Sequence, residues 1–168
     1  MTGACPSDVT VGGAESDDAA RLADIWVDLA TDQRAHGSNL LPAENRNRVR
    51  EAMLQHVVTD TVLVARREGA IVGFVTFGRE TEHYEQDVHR GVVHNIYVTE
   101  GNRGEGIGTA LLARAEAALS EMGVDAVALQ SMAKNDAARR FYRRHGYHPH
   151  RIEFEKPTES DTLTTGDE

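Results

Sequence analysis

The sequence predicts an α/β protein in which helices flank a central mixed β-sheet. Three observations carry this prediction. Runs of β-branched and aromatic residues alternate with amphipathic helical patterns through the second half of the chain. The clearest of these strands, Val92–Val98, leads through a cluster of glycines directly into a helical pattern. The 168 residues, 40% of them apolar, can bury one core and are too few for two ordinary enzyme domains.

A short strand at Val9–Val11 comes first. Ser16 then precedes Leu22, Ile25, Trp26 and Leu29, whose spacing of three and four marks one helical face. Ser16 is placed as its N-cap, and Asp17 and Asp18 suit the helix dipole. A polar connection from Thr31 to Pro42, with Gly37, Ser38 and Asn39, could border a substrate cleft. A second helix places Val49, Ala52, Met53 and Val57 together. Thr61–Ala65 and Ile71–Phe77 read as a β-hairpin around a polar turn at Arg66–Ala70. A charged, loop-like stretch, Gly78–Gly91, precedes Val92–Val98. Leu111, Leu112, Ala115, Leu119 and Met122 then keep a helical period over Gly108–Met122, with Gly123 as the stop. Val124–Gln130 reads as a strand, Asn135–His145 as a helix closed by Gly146, and Arg151–Lys156 as a last strand. These elements form one domain over residues 1–156. The acidic, threonine-rich residues 157–168 cannot offset their own ordering entropy and read as a tail.

The formal charge of −9, from 27 acidic and 18 basic residues, argues against nucleic acid or an anionic membrane as partner. Cys5, the single cysteine, can form neither an internal disulfide nor a four-ligand zinc site, which fits a reduced cytoplasm. The N-terminus has no basic region followed by an apolar stretch, and no run approaches the roughly 20 apolar residues of a membrane span. A soluble, cytoplasmic protein is expected. His145, His148 and His150 match no strong zinc spacing, so they read as surface residues and no metal is expected. Oligomeric state stays open, a homodimer included.

The central motif is the strand Val92–Val98, a polar link Thr99–Asn102, and then Arg103-Gly104-Glu105-Gly106-Ile107-Gly108-Thr109 opening a helix. Missing β-carbons let a ligand approach the backbone, and the N–H groups at a helix start can bind a pyrophosphate. An isolated glycine turn more often only joins a strand to a helix. Context changes the odds here. No Gly-Lys-Ser/Thr follows, so this is no Walker loop, and a dinucleotide fold would place the turn near its first strand.

Arg103-x-x-Gly106-x-Gly108 resembles the R/Q-x-x-G-x-G/A acetyl-CoA motif of GNAT N-acetyltransferases. The stretch Asn135 to Tyr147 resembles the second signature of that family, N-x-x-A-x-x-F/L-Y-x-x-x-G-F/Y. The resemblance implies the GNAT acyl-CoA N-acyltransferase fold and transfer of acetyl from acetyl-CoA to a primary amine by direct attack in a ternary complex. It also implies a cofactor site made of Ile96, Tyr97 and Val98, whose backbone would pair with the pantetheine arm, the turn Arg103, Gly104, Glu105, Gly106, Ile107, Gly108 and Thr109, and Asn135. Asn135 serves equally well as a helix N-cap.

Tyr142 corresponds to the tyrosine that relatives often use to protonate the departing thiolate. The base that deprotonates the amine is harder to place. Many relatives put a glutamate where this chain has His94, and ribosomal-protein acetyltransferases put one where it has Gln130. His94 can act as a base near neutrality, although a strand histidine often serves structure alone. Glu82, Glu85 and Asp87 are alternatives in the preceding loop. His83, Tyr84 and the loop around His36 to Leu41 are candidates for the acceptor pocket, while Trp26, Phe141 and Tyr147 are assigned to the core. A domain that binds acyl-CoA without turning it over is the competing reading, favoured by the missing carboxylates and opposed by Tyr142.

Overall fold

Hydrogen bonding joins strands β1 (Val9–Gly13), β2 (Val62–Arg67), β3 (Ala70–Arg79), β4 (Arg90–Val98) and β5 (Ala126–Leu129) into one sheet in sequential order. The first three pairings are antiparallel and the last, β4 with β5, is parallel, so the sheet is mixed as the sequence predicts. The computed structural model describes residues 5–81 and 84–159. It divides into a compact unit Met1–Asn135, which holds the sheet with helices α1 (Ala19–Ala35), α2 (Arg46–Val58) and α3 (Ile107–Glu121), and a second unit, Asp136–Glu168, which holds helix α4 (Asp136–Arg144).

In the first unit the core forms because the apolar stripe of α1 meets one face of the sheet. Leu22, Ile25, Trp26 and Leu29 cluster with Met53 of α2, Val62 and Val64 of β2, and Phe74 of β3. Each buried aliphatic or aromatic side chain contributes about 1.5–3 kcal/mol through removal from water. On the opposite face α3 lies close to the sheet, which two glycines permit. A β-carbon on Gly73 would sit 2.9 Å from the Tyr97 carbonyl oxygen and 3.2 Å from Leu111 Cδ1. One on Gly91 would sit 2.7 Å from Leu119 Cδ2. Leu111 and Leu119 are both 0% exposed, so neither can move aside freely.

Local chemistry shifts several boundaries from those the sequence suggests. Arg66 and Arg67 belong to β2, not to the hairpin turn, because the turn needs only two residues: Glu68 (φ 51°) and Gly69 (φ 79°) both take the left-handed conformation of a tight hairpin. Ser16 does not cap α1. It lies in a 3-10 turn, Ser16–Asp18, where Asp18 accepts the Glu15 N–H at 2.8 Å and also pairs with Arg66 at 2.6 Å. The strand expected at Arg151–Lys156 is not formed. Alternating side chains supply a face, but a strand also needs a neighbour to share its ladder, and residues 151–157 carry no strand pairing, with Phe154 91% exposed.

In the second unit α4 ends where expected. Gly146 takes φ 88°, its N–H donates to the Arg143 carbonyl at 3.1 Å, and the Tyr147 N–H donates to the Tyr142 carbonyl at 3.0 Å. This is the Schellman arrangement, which satisfies the last carbonyls of the helix.

Gly73→Ala is expected to lower stability by about 1–3 kcal/mol, because the new methyl group meets backbone as well as a buried side chain. Urea unfolding should show a lower midpoint at unchanged slope; an unchanged midpoint would mean that β4 yields without cost.

Candidate functional site

The parallel ladder between β4 and β5 runs only from Arg90↔Ala126 to Val93↔Leu129, whereas β4 stays paired with β3 as far as Val98↔Gly73. From His94 onward, therefore, the β5-facing edge of β4 meets no strand among the described residues. The cause lies in the register. Phe77 pairs with Val93 and Thr76 with Asn95, so His94 is an extra residue, a bulge that bends and twists the strand. Asn95 Nδ2 donates to Thr76 Oγ1 at 2.9 Å, holding the bent strand to a residue that is 0% exposed. Ile96, Tyr97 and Val98 lie half-buried along this edge, where Arg103 takes the Val98 carbonyl and the other outward backbone groups need partners from water or a ligand.

Beyond Val98 a 3-10 turn, Glu100–Asn102, leads to the glycines. Gly104 (φ 78°) and Gly106 (φ 88°) adopt left-handed conformations, and nothing lies within 4 Å of a β-carbon built on Gly104. Gly106 caps α3, whose first helical bond runs from the Ala110 N–H to the Gly106 carbonyl at 3.1 Å. Ile107 anchors this end in the core at 1% exposure, and Gly108 and Thr109 complete the first turn. A helix start combined with an open glycine backbone suits an anion.

Two arginines shape this region, in different ways. Arg67 reaches across from β2, donating to Asn102 Oδ1 at 2.6 Å and Glu105 Oε2 at 3.0 Å, while its Nε donates to Asp8 at 2.9 Å. It thereby braces the turn and offsets the one carboxylate that lies within the glycine motif. Arg103 folds back onto β4. Its Nε donates to the Val98 carbonyl at 2.9 Å, its Nη2 pairs with Asp32 of α1 at 3.1 Å, and it lies 5.1 Å above the Tyr97 ring. The Tyr97 hydroxyl donates to the same Asp32 at 3.2 Å, and burial followed by the Asp32 charge pushes that phenol up. Sequence spacing singles out Arg103 but not Arg67 or Asp32, because both sit in distant elements and carry no local motif.

Of the base candidates, His94 is the one that the bulge presents. Its ring lies 6.1 Å, centroid to centroid, from that of His56 on α2, and although the residue is largely solvent-accessible, the partial burial of its ring lowers its pKa below the usual 6.5. Tyr84, Glu85 and Asp87 are exposed, and Glu82 and His83 lie outside the described residues. Gln130 is exposed just after β5, and Trp26 is core, at 9% exposure. A β-carbon on Gly37 would touch Met132 Cε at 3.8 Å, so the His36–Leu41 connection reaches the loop that follows β5, with Leu40 and Leu41 about half exposed beside it. A cavity of about 410 Å³ lies elsewhere, at the C-terminal end of α3 beside Ala118, Glu121 and Met122.

Asn135 is half-buried and donates its N–H to the Met132 carbonyl at 3.0 Å. Tyr142 of α4 packs edge-on against Phe141 and Tyr147, and burial pushes its phenol up, so that it keeps its proton through neutral pH. Phe141 and Tyr147 are half-buried, not core. His145 is not a free surface residue either: its Nδ1 donates to the Phe141 carbonyl at 2.7 Å, whereas His148 and His150 are exposed. Among the described residues no group of three or more His, Cys, Asp or Glu comes together to hold a metal, and no helix is long and apolar enough to cross a membrane.

Residues 19–147 match the family model described as acetyltransferase (GNAT) family. Solved structures share the fold. A GCN5-related N-acetyltransferase from Ralstonia eutropha is 24% identical, with a TM-score of 0.71 over 89% of this chain and 97% of that one. A predicted acetyltransferase from Clostridium acetobutylicum, solved with acetyl-CoA, is 16% identical with a TM-score of 0.69 over 89% and 96%. A ribosomal-protein-alanine N-acetyltransferase from Brucella melitensis is 22% identical with a TM-score of 0.63 over 89% and 99%. No curated protein matches the sequence.

Arg67→Ala should loosen the turn, because it removes the ion pairs to Asp8 and Glu105 and the bond to Asn102. Amide hydrogen exchange at residues 100–106 should then speed up. Unchanged exchange there would show that the turn holds its shape unaided.

Proposed function

The chain belongs to the GNAT acetyltransferase family, and we propose that it moves an acetyl group from acetyl-CoA to a primary amine of a small molecule, a peptide N-terminus or a lysine, by direct attack in a ternary complex. The observation that carries this reading is the unpaired edge of β4 running into the left-handed glycines at the start of α3. Support also comes from the Clostridium acetobutylicum neighbour solved with acetyl-CoA and from the Brucella melitensis neighbour named as a ribosomal-protein-alanine N-acetyltransferase.

The donor supplies an activated acetyl thioester. The backbone of Ile96–Val98 offers donors and acceptors to the pantetheine amides, and a strand N–H there stabilises the oxyanion that forms as the amine attacks. The turn from Arg103 to Thr109 takes the pyrophosphate on its backbone N–H groups and the helix dipole, with Arg67 reducing the repulsion from Glu105. Asn135 contacts the cofactor arm. His94 takes the proton that the ammonium must lose, since an ordinary lysine amine has a pKa of about 10.4 and attacks only when neutral. As the C–S bond breaks, Tyr142 gives its phenolic proton to the sulfur.

Thiol release from acetyl-CoA over a panel of amines tests the reaction. Tight acetyl-CoA binding with no thiol release from any amine would favour a regulatory, acyl-CoA-binding domain. Gly106→Val forces a branched side chain into φ 88° and should weaken acetyl-CoA binding at least tenfold by calorimetry; unchanged affinity in a folded protein would remove the turn from the site. Tyr142→Phe should lower kcat by roughly 10²–10⁴ with little change in acetyl-CoA affinity, and a kcat retained under chemistry-limited conditions would show that the phenol is not the acid.

A further inference from the structure

His56 has no place in the family motifs quoted above, yet it is held in one chemical state beside the β4 bulge. Its Nδ1 lies 2.7 Å from Thr61 Oγ1, and Thr61 Oγ1 lies 2.7 Å from Thr59 Oγ1. Thr59 Oγ1 lies 3.0 Å from the Gln55 carbonyl oxygen, which can only accept. That terminal acceptor sets the direction of the whole chain. The Thr59 hydroxyl donates to Gln55, the Thr61 hydroxyl donates to Thr59, and His56 must therefore donate from Nδ1. Its Nε2 is left with a lone pair, on a ring whose centroid lies 6.1 Å from that of His94. Further backbone bonds fix the same corner: the Thr61 N–H donates to the His56 carbonyl at 2.9 Å, and the Phe77 N–H donates to the Thr61 carbonyl at 3.0 Å.

We propose that His56 is the positioning residue for His94, its Nε2 receiving through one water the proton that His94 takes from the acceptor amine. The proposal rests on the acetyl-transfer reading above. In the step, the ammonium N–H bond breaks and a proton bonds to His94. A second proton leaves the other ring nitrogen of His94 for the water, which passes one of its own protons to His56 Nε2, so the amine becomes neutral and one positive charge moves away from the reacting centre. Gly78 of β3 faces His94 with no side chain, the hydroxyls of Thr59 and Thr61 face His56, and among the described residues no carboxylate or guanidinium acts on either ring. Burial lowers the pKa of both histidines, which favours their neutral, accepting forms, and the charge of His94 lowers that of His56 further, so His56 holds the relayed proton only in passing before solvent takes it.

His56→Asn tests this, because asparagine can keep a donor to Thr61 while lacking the second ring nitrogen. In the wild type, nitrogen NMR of the imidazoles should show His56 as the Nδ1–H tautomer. In His56→Asn the His94 titration should move further down, because its charged form loses the acceptor that shares its proton, and the acid limb of kcat/KM for an amine substrate should move down with it. The kcat at neutral pH should fall about tenfold, less than the 10²–10⁴ of a direct acid–base catalyst, with KM for acetyl-CoA unchanged. Thr61→Val, which removes the lock, should shift the limb in the same direction by less. An Nε2–H tautomer at His56, or an active, folded His56→Asn enzyme with the wild-type pH limb, would overturn the proposal. Wild-type protein that transfers acetyl to no amine would instead overturn the reaction itself, and the tautomer and titration measurements would still read out the pair.

Discussion

Parallel pairing between β4 and β5 ends at Val93↔Leu129, and the rest of the site depends on that ending. A sheet normally consumes its own backbone donors and acceptors. Here one extra residue, His94, turns the strand away before its length is used up, leaving a short run of main chain that, among the described residues, has no strand to pair with on one side. The other edge of the same run is secured to β3 through Val98↔Gly73 and the Asn95–Thr76 bond. Freedom on one side is compatible with rigidity because the other side is fully tied down. A binding edge held this way loses little conformational entropy when something adds to it.

The acidic balance of the chain makes the treatment of charge informative. A protein with a formal charge of −9 does not attract polyphosphates by its overall field. In the proposed reading, attraction is instead assembled locally, from the start of α3 and from glycines that let main-chain N–H groups come close. The two arginines nearest the turn already have carboxylate partners, Asp8 and Glu105 for Arg67 and Asp32 for Arg103. Arg67 acts by removing a local repulsion, and Arg103 ties α1 to the end of β4.

What could be read from the sequence was local in origin. The strand–glycine–helix unit was legible because Val92 to Leu112 changes from period two to period 3.6 within a few residues, and the stops at Gly123 and Gly146 were legible because a left-handed residue there satisfies carbonyls of the preceding turn. Whatever depends on contact between distant residues was not. Arg66 and Arg67 looked like turn residues until Glu68 was found to take the positive φ. Arg151–Lys156 has a strand's alternation, but alternation cannot supply a neighbouring strand. His56 carries no local signal, since its neighbour His94 lies in another element and its tautomer depends on Thr61 beyond the helix end. The bulge at His94 was equally hidden, because it is defined only by the register of two strands.

The two glycines beneath α3 also bear on how such a chain can change over evolutionary time. At Gly91 the space that a methyl group would need is held by Leu119, and at Gly73 partly by Leu111. Neither glycine can drift alone, even to alanine, without stressing a close-packed interface. A path remains open at Gly91, where only the leucine side chain blocks the way: shortening Leu119 first makes room, and the glycine can then gain a side chain. At Gly73 the Tyr97 carbonyl also blocks, so no single partner change opens the route. One position can thus be exchanged by two coupled steps in a fixed order, while the other is locked by the main chain of the strand that forms the site.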